Sequence, residues 1–281
     1  MLEINKDKIY INVFNNISEL SKYVTTMKRK EGRSNCSEER NYSFTGTHNF
    51  EEAVNLLKYG DEELFKKINS SNKKIDVNKL IGNIIKKNKE KQDIVGYQAN
   101  VPKYLLGIPT NMINQEPKKT SQKILNIFLN IRVDSSTTSE QIIEIGTQYL
   151  IIIDLLEKAG YRCNLYSGCA NQGNYNNYCY LLTRIKTDRE PLNIKKIAFT
   201  IANPSMQRRI KFKWQEVNDC NYDFTDGYGH NDDKKHTKEV LEKELKEKFI
   251  IWTYEDNRQT KNIEQLLESL KTEYGIDILE K

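Results

Sequence analysis

Asp134, Ser136 and Thr138 alternate along the run Asp134-Ser135-Ser136-Thr137-Thr138, directly after the apolar stretch that ends at Val133. In an extended turn, alternate side chains point the same way, so these three oxygens can converge on one point. One carboxylate and two hydroxyls are hard ligands suited to Mg²⁺, which keeps several waters and needs few protein groups. The same residue types are favoured N-caps, so Asp134 or a neighbouring serine would also serve to cap a helix beginning at 139. A second candidate is basic. Arg208, Arg209, Lys211 and Lys213, interleaved with Phe212 and Trp214, have the chemistry to neutralise phosphates and stack on nucleic-acid bases. An alternating strand with one wet, basic face accounts for the same residues.

Other constellations carry less. Gly227-Tyr228-Gly229-His230 with Asp226, Asp232, Asp233 and His236 concentrates polar groups without a standard metal-ligand spacing, and reads as a solvated loop. The five cysteines include no C-x-x-C pair. Cys163, Cys169 and Cys179 are therefore expected as reduced structural thiols rather than zinc ligands. No phosphate-binding G-x-x-x-x-G-K-[ST] loop, dinucleotide G-x-G-x-x-G, G-x-S-x-G elbow or H-E-x-x-H pair occurs.

The elements that must position these groups change character along the chain. Residues 1–120 read as mainly helical. Ile17 to Met27 is amphipathic, and Asn49 with Glu52 suggests a capping box ahead of Ala53, Leu56 and Leu57, with Gly60 as the stop. Helical spacing returns at 61–68 and 77–89, and Pro102 opens a brief helix at its first turn. Pro117-Lys118-Lys119-Thr120-Ser121 is the expected boundary. From 121 to 281 strands and helices alternate. Strands are expected at 124–133, 161–166, 178–185, 249–254 and 276–279, and helices at 139–159, 193–201, 234–248 and 260–274. That order is the signature of βαβ units and predicts an α/β, Rossmann-like, doubly wound, mostly parallel sheet. The strand at 178–185 has antiparallel pairing as its alternative.

Ile131-Arg132-Val133-Asp134-Ser135-Ser136-Thr137-Thr138 resembles the first strand and ion-binding loop of von Willebrand factor A-type domains. The resemblance covers about residues 123–281. It implies a metal-ion-dependent adhesion site in which Asp134, Ser136 and Thr138 hold Mg²⁺, with Asp256 or Glu255 after the strand 249–254 adding a further acidic group. Where members of that family carry Thr-Asp-Gly, this chain has Thr253-Tyr254-Glu255-Asp256. Phe44-Thr45-Gly46-Thr47, Leu106-Gly107-Ile108-Pro109 and Met206-Gln207-Arg208-Arg209 are similar to an uncharacterised family of bacteriophages and prophages. The resemblances together imply an ion-assisted protein-interaction module of a phage-like or bacterial cytoplasm. The alternative is a nucleic-acid-associated protein working through Arg208 to Lys213.

Composition limits the remaining classes. An apolar fraction of 37% in 281 residues suffices for a sizeable core. A net charge of +5 is compatible with a nucleic-acid partner without arguing for one. The longest apolar run, Tyr149 to Ile153, stops at Asp154, so no membrane span is expected. Met1-Leu2-Glu3-Ile4-Asn5 lacks the basic-then-apolar order of a signal peptide, so a cytoplasmic location is expected.

Overall fold

Ile9-Tyr10-Ile11-Asn12-Val13-Phe14 is a run of β-branched and aromatic residues, and it forms a strand (β2, Ile9–Phe14). It pairs antiparallel with β1 (Leu2–Lys6) across a turn in which Asp7 takes the left-handed conformation that a short polar side chain tolerates. The computed structural model describes residues 1–72, 90–96, 98–115, 123–220, 228, 230–254 and 263–276. The mainly helical N-terminal region thus begins with two strands that periodicity did not signal.

Five helices follow. They are α1 (Ile17–Thr26), the one-turn α2 (Cys36–Glu39) and α3 (Tyr42–Thr45), α4 (Phe50–Tyr59) and α5 (Glu62–Asn72). Asn49 caps α4 by accepting from the Glu52 backbone N–H at 2.8 Å, while the Glu52 carboxylate accepts from the His48 backbone N–H. Helix expected at 77–89 lies outside the described residues. A separate three-stranded sheet, ordered β3 (Glu90–Asp93), β5 (Met112–Gln115), β4 (Gln98–Ala99), carries the short α6 (Val101–Leu105).

The remainder follows the predicted alternation: β6 (Ile124–Asn130), α7 (Ser139–Lys158), β7 (Arg162–Gln172), β8 (Tyr178–Lys186) and α8 (Ile194–Ala202). A π-helical turn, Met206–Lys211, runs directly into α9 (Phe212–Val217). Then come β9 (His230–Asn231), α10 (Lys234–Leu245), β10 (Ile250–Thr253) and α11 (Ile263–Tyr274). The last expected strand, 276–279, falls almost wholly outside the described residues.

The result is a mixed α/β fold on a mostly parallel central sheet, ordered β1-β2-β8-β7-β6-β10, with β9 added beside β7. The pairs β10–β6, β6–β7 and β2–β8 are parallel. β8 runs antiparallel to β7, which was the alternative for that strand. Helix α7 leads from β6 to β7 on one side, whereas β10 adds to the other side of β6. The carboxyl end of β6 is thus flanked by β7 and β10, and a crevice lies beyond it.

One core crosses the boundary expected near residue 120. Phe14, Leu20, Ala53, Leu57 and Ile68 pack in the same cluster as Leu150, Leu165, Phe199 and Trp214. Val240, Leu241 and Phe249 cover the opposite face of the sheet with Ile11, Phe128 and Tyr180. Burial of each such Leu, Ile or Phe contributes about 1.5–3 kcal/mol. Helix α7 is apolar nearly all round and sits between the sheet and its neighbours. It crosses α8 so closely that a Cβ built on Gly146 would lie 2.5 Å from the Ala202 Cα, so only glycine fits. Among the described residues no helix is long and apolar enough to cross a membrane.

Candidate functional site

Asn130 opens the crevice. Its Oδ1 accepts from the Arg132 and Ala170 backbone N–H groups, and its Nδ2 donates to Asn231 Oδ1 at 2.8 Å. Pinned this way, β6 leaves its neighbour and delivers Arg132, Asp134 and Ser136 to the sheet edge. Below them runs the π-helical turn. Such turns widen the backbone and recur at functional sites. Gln207, Arg208 and Lys211 lie on its face toward the crevice, where they help to line a cleft of about 610 Å³ together with Arg132, Asp134 and Ser136. Arg40, Phe44, Phe212, Tyr228 and His230 complete much of the wall. Phe212 and Tyr228 stack with centroids 4.0 Å apart.

The cations of this cleft are differently held. Arg208 donates to the Phe44 carbonyl at 2.6 Å and to the Thr137 carbonyl, and its guanidinium lies 4.0 Å from the Phe44 ring centroid. These neutral partners leave its charge uncompensated, and burial lowers its pKa to about 10. Arg132 is 3.9 Å from Asp134 Oδ1. Lys211 is 1% exposed, and neither a hydrogen bond nor an ion pair joins its ammonium to any other described residue. Burial, helped by the charge of Arg132, lowers its pKa to about 7. Its ammonium lies 5.4 Å from the centroid of the Phe212 ring. Among the described residues, Arg40, Arg132, Arg208 and Lys211 face one carboxylate, Asp134, across this cleft.

The expected ion ligands are only partly brought together. Asp134 and Ser136 share the cleft mouth. Thr138 is instead the N-cap of α7: it accepts from the Gln141 N–H, and the Gln141 side chain accepts from the Thr138 N–H, a complete capping box. The cap of α7 is thus Thr138, not Asp134 or a serine. Asp256 and Glu255 lie outside the described residues. Among the described residues no group of three or more His, Cys, Asp or Glu can hold a metal. With Arg132 beside Asp134 and Thr138 engaged as a cap, the described part of this set does not fit a Mg²⁺ ion.

The basic set needs a correction. Residues 206–217 are helical, so no alternating strand forms, and Arg208, Arg209 and Lys211 are buried rather than wet. Arg209 turns away from the cleft and donates to Thr47 Oγ1 and to the Ser37, Arg40 and Thr47 carbonyls. Lys213 pairs with Glu38 at 2.6 Å over the Phe50 ring. These four residues do not form one basic stripe. Arg209 and Lys213 lock the N-terminal segment onto the helix, while Arg208 and Lys211 face the cleft.

The histidine-rich loop is more ordered than solvation would suggest. Asp232 is buried and lies 2.9 Å from His236 Nδ1, and it accepts from Tyr180 and Thr237 at 2.8 Å each. It anchors the start of α10. The cysteines are free thiols as expected, with Cys163, Cys169, Cys179 and Cys220 buried.

A family model described as Domain of unknown function (DUF7192) matches residues 3–277. The chain belongs to this family. The match spans the N-terminal strands, the cleft and α11 together, in keeping with their shared core. No curated protein and no solved structure matches the chain.

Sequence reasoning found Asp134, Ser136, Arg208 and Lys211 as candidates but assigned them to two sites. It missed Arg132, Arg40 and Phe44 as members of one cleft. The available signal was the position of Arg132 within the buried run Ile131-Arg132-Val133, where an arginine needs a reason to be.

Proposed function

We propose that the chain is a binding protein whose cleft beyond the carboxyl end of β6 takes the anionic group of a small ligand. The buried Lys211 ammonium carries this reading. A cation held in a concave site without a described ion-pair partner is costly, and an incoming anion offsets that cost. Arg132 and Arg208 add charge, and the carboxyl ends of strands are where open α/β sheets bind ligands. The resemblance to von Willebrand A-type domains supports the same edge of the sheet as the working one. In the reading favoured here, the anion meets protein cations directly rather than through Mg²⁺. The acidic group expected of a partner protein is accordingly assigned to a small molecule.

Thermal unfolding at constant ionic strength tests the reading. Sulfate is expected to raise Tm above the level given by chloride, and Lys211→Met is expected to abolish the difference. Equal Tm in both salts would refute it. Mg²⁺ added as chloride at the same ionic strength is expected to leave Tm unchanged, and a saturable rise lost in Asp134→Ala would restore the ion-assisted reading.

A further inference from the structure

The cleft does not end at Arg208. A second lobe of about 580 Å³ continues over the start of α7, and Arg40, Phe44, Ser135, Ser136 and Arg208 border both lobes. The two lobes differ in chemistry. Across the first, cations outnumber the one described carboxylate. The second is lined by two cations, Arg40 and Arg208, and two carboxylates, Glu39 and Glu140, so its described charges balance. Its remaining wall is largely hydroxyl and amide: Asn41, Ser43, Thr137, Thr138 and Ser139. Glu39 and Glu140 are exposed, and neither carboxylate forms an ion pair or side-chain hydrogen bond with another described residue.

A balanced, hydroxyl-rich lobe offers no net attraction to a second anion. Carboxylates with open lone pairs instead accept from hydroxyl groups, and seryl hydroxyls both give and accept. We propose that the ligand is a phosphorylated sugar, free or as part of a nucleotide, with its phosphate at Lys211 and its hydroxyls against Glu39 and Glu140. This assignment rests on the anion-site reading and adds the polyhydroxylated part. A phosphate ester fits the first lobe because its doubly charged, tetrahedral oxygens can meet several donors at once. The open carboxylates of Glu39 and Glu140 would then favour esters that carry hydroxyls over those that lack them.

Calorimetric titration of the full chain with methyl phosphate, ribose 5-phosphate and adenosine 5′-monophosphate separates the two claims. Methyl phosphate is expected to bind weakly, and ribose 5-phosphate at least tenfold more tightly. In the Glu39→Ala, Glu140→Ala double variant that gain is expected to vanish while methyl phosphate binding is unchanged. Adenosine 5′-monophosphate binding more tightly than ribose 5-phosphate would assign the sugar to a nucleotide, and equal or weaker binding would assign it to a free sugar phosphate. A gain below tenfold, or one that survives the double variant, overturns the sugar assignment and leaves the anion site standing. If none of the three esters binds, both fall.

Discussion

At Lys211 the ammonium has lost bulk water without gaining a carboxylate among the described residues, and two measurable consequences follow from its lowered pKa. Between about pH 7 and its ordinary value near 10.5, the unfolded chain binds a proton there that the folded chain has released. The destabilisation from this group is therefore largest below about pH 7 and is relieved as pH rises. Lys211→Met is expected to be more stable than the parent, with the margin larger at pH 6 than at pH 9 in urea titrations; a margin independent of pH contradicts this. Sulfate, which does not itself titrate in this range, should bind most tightly while the amine is charged. Its affinity is expected to hold below about pH 6 and to weaken as pH climbs past 7, the pKa being that of the free site. A flat profile measured by calorimetry would place the anion elsewhere.

Among the elements, the start and the crossing of α7 can be probed separately from the ligand. Thr138→Ala removes one half of the capping box and is expected to cost about 1 kcal/mol in unfolding free energy. Gly146→Ala forces α7 away from α8 at Ala202 and is expected to cost about 1–3 kcal/mol. A neutral Gly146→Ala in urea denaturation would mean that the two helices do not cross as closely as described. These elements were also the most legible in the sequence. The twenty residues of α7, with Gly160 after it, follow helical spacing strictly enough to fix both ends within a residue. The π-helical turn was only partly legible, because arginine and lysine alternating with apolar residues from Arg208 to Lys213 fit a strand as well as a buried helix. What decides between them is tertiary: the carbonyls of Ser37, Arg40, Phe44 and Thr47 come from far along the chain to receive the guanidinium groups. β1 and β2 were missed for a related reason, since six residues of β-branched and aromatic character precede a stronger helical pattern.

Over the whole molecule, the N-terminal segment and the α/β part share one core, and the cleft draws on both. Arg40 and Phe44 come from the former, Arg132 and Lys211 from the latter. Cutting the chain at residue 120 would expose Leu150, Phe199 and Trp214 where Leu20, Leu57 and Ile68 now belong to the same cluster. Residues 121–281 alone are expected to show a broad, non-cooperative thermal transition and no sulfate response; a sharp transition near that of the full chain would show that the core divides after all. Cleft membership was the least legible property, because its residues, Ser34 to His230, lie up to 196 positions apart in the chain and no local motif joins them. The most direct test of the cleft as an anion site is anomalous diffraction from crystals of the full chain soaked in tungstate, a heavy tetrahedral dianion. The prediction is a peak within hydrogen-bonding distance of Lys211 Nζ that disappears in Lys211→Met crystals. Peaks confined to surface lysines, with none in the cleft, would contradict it.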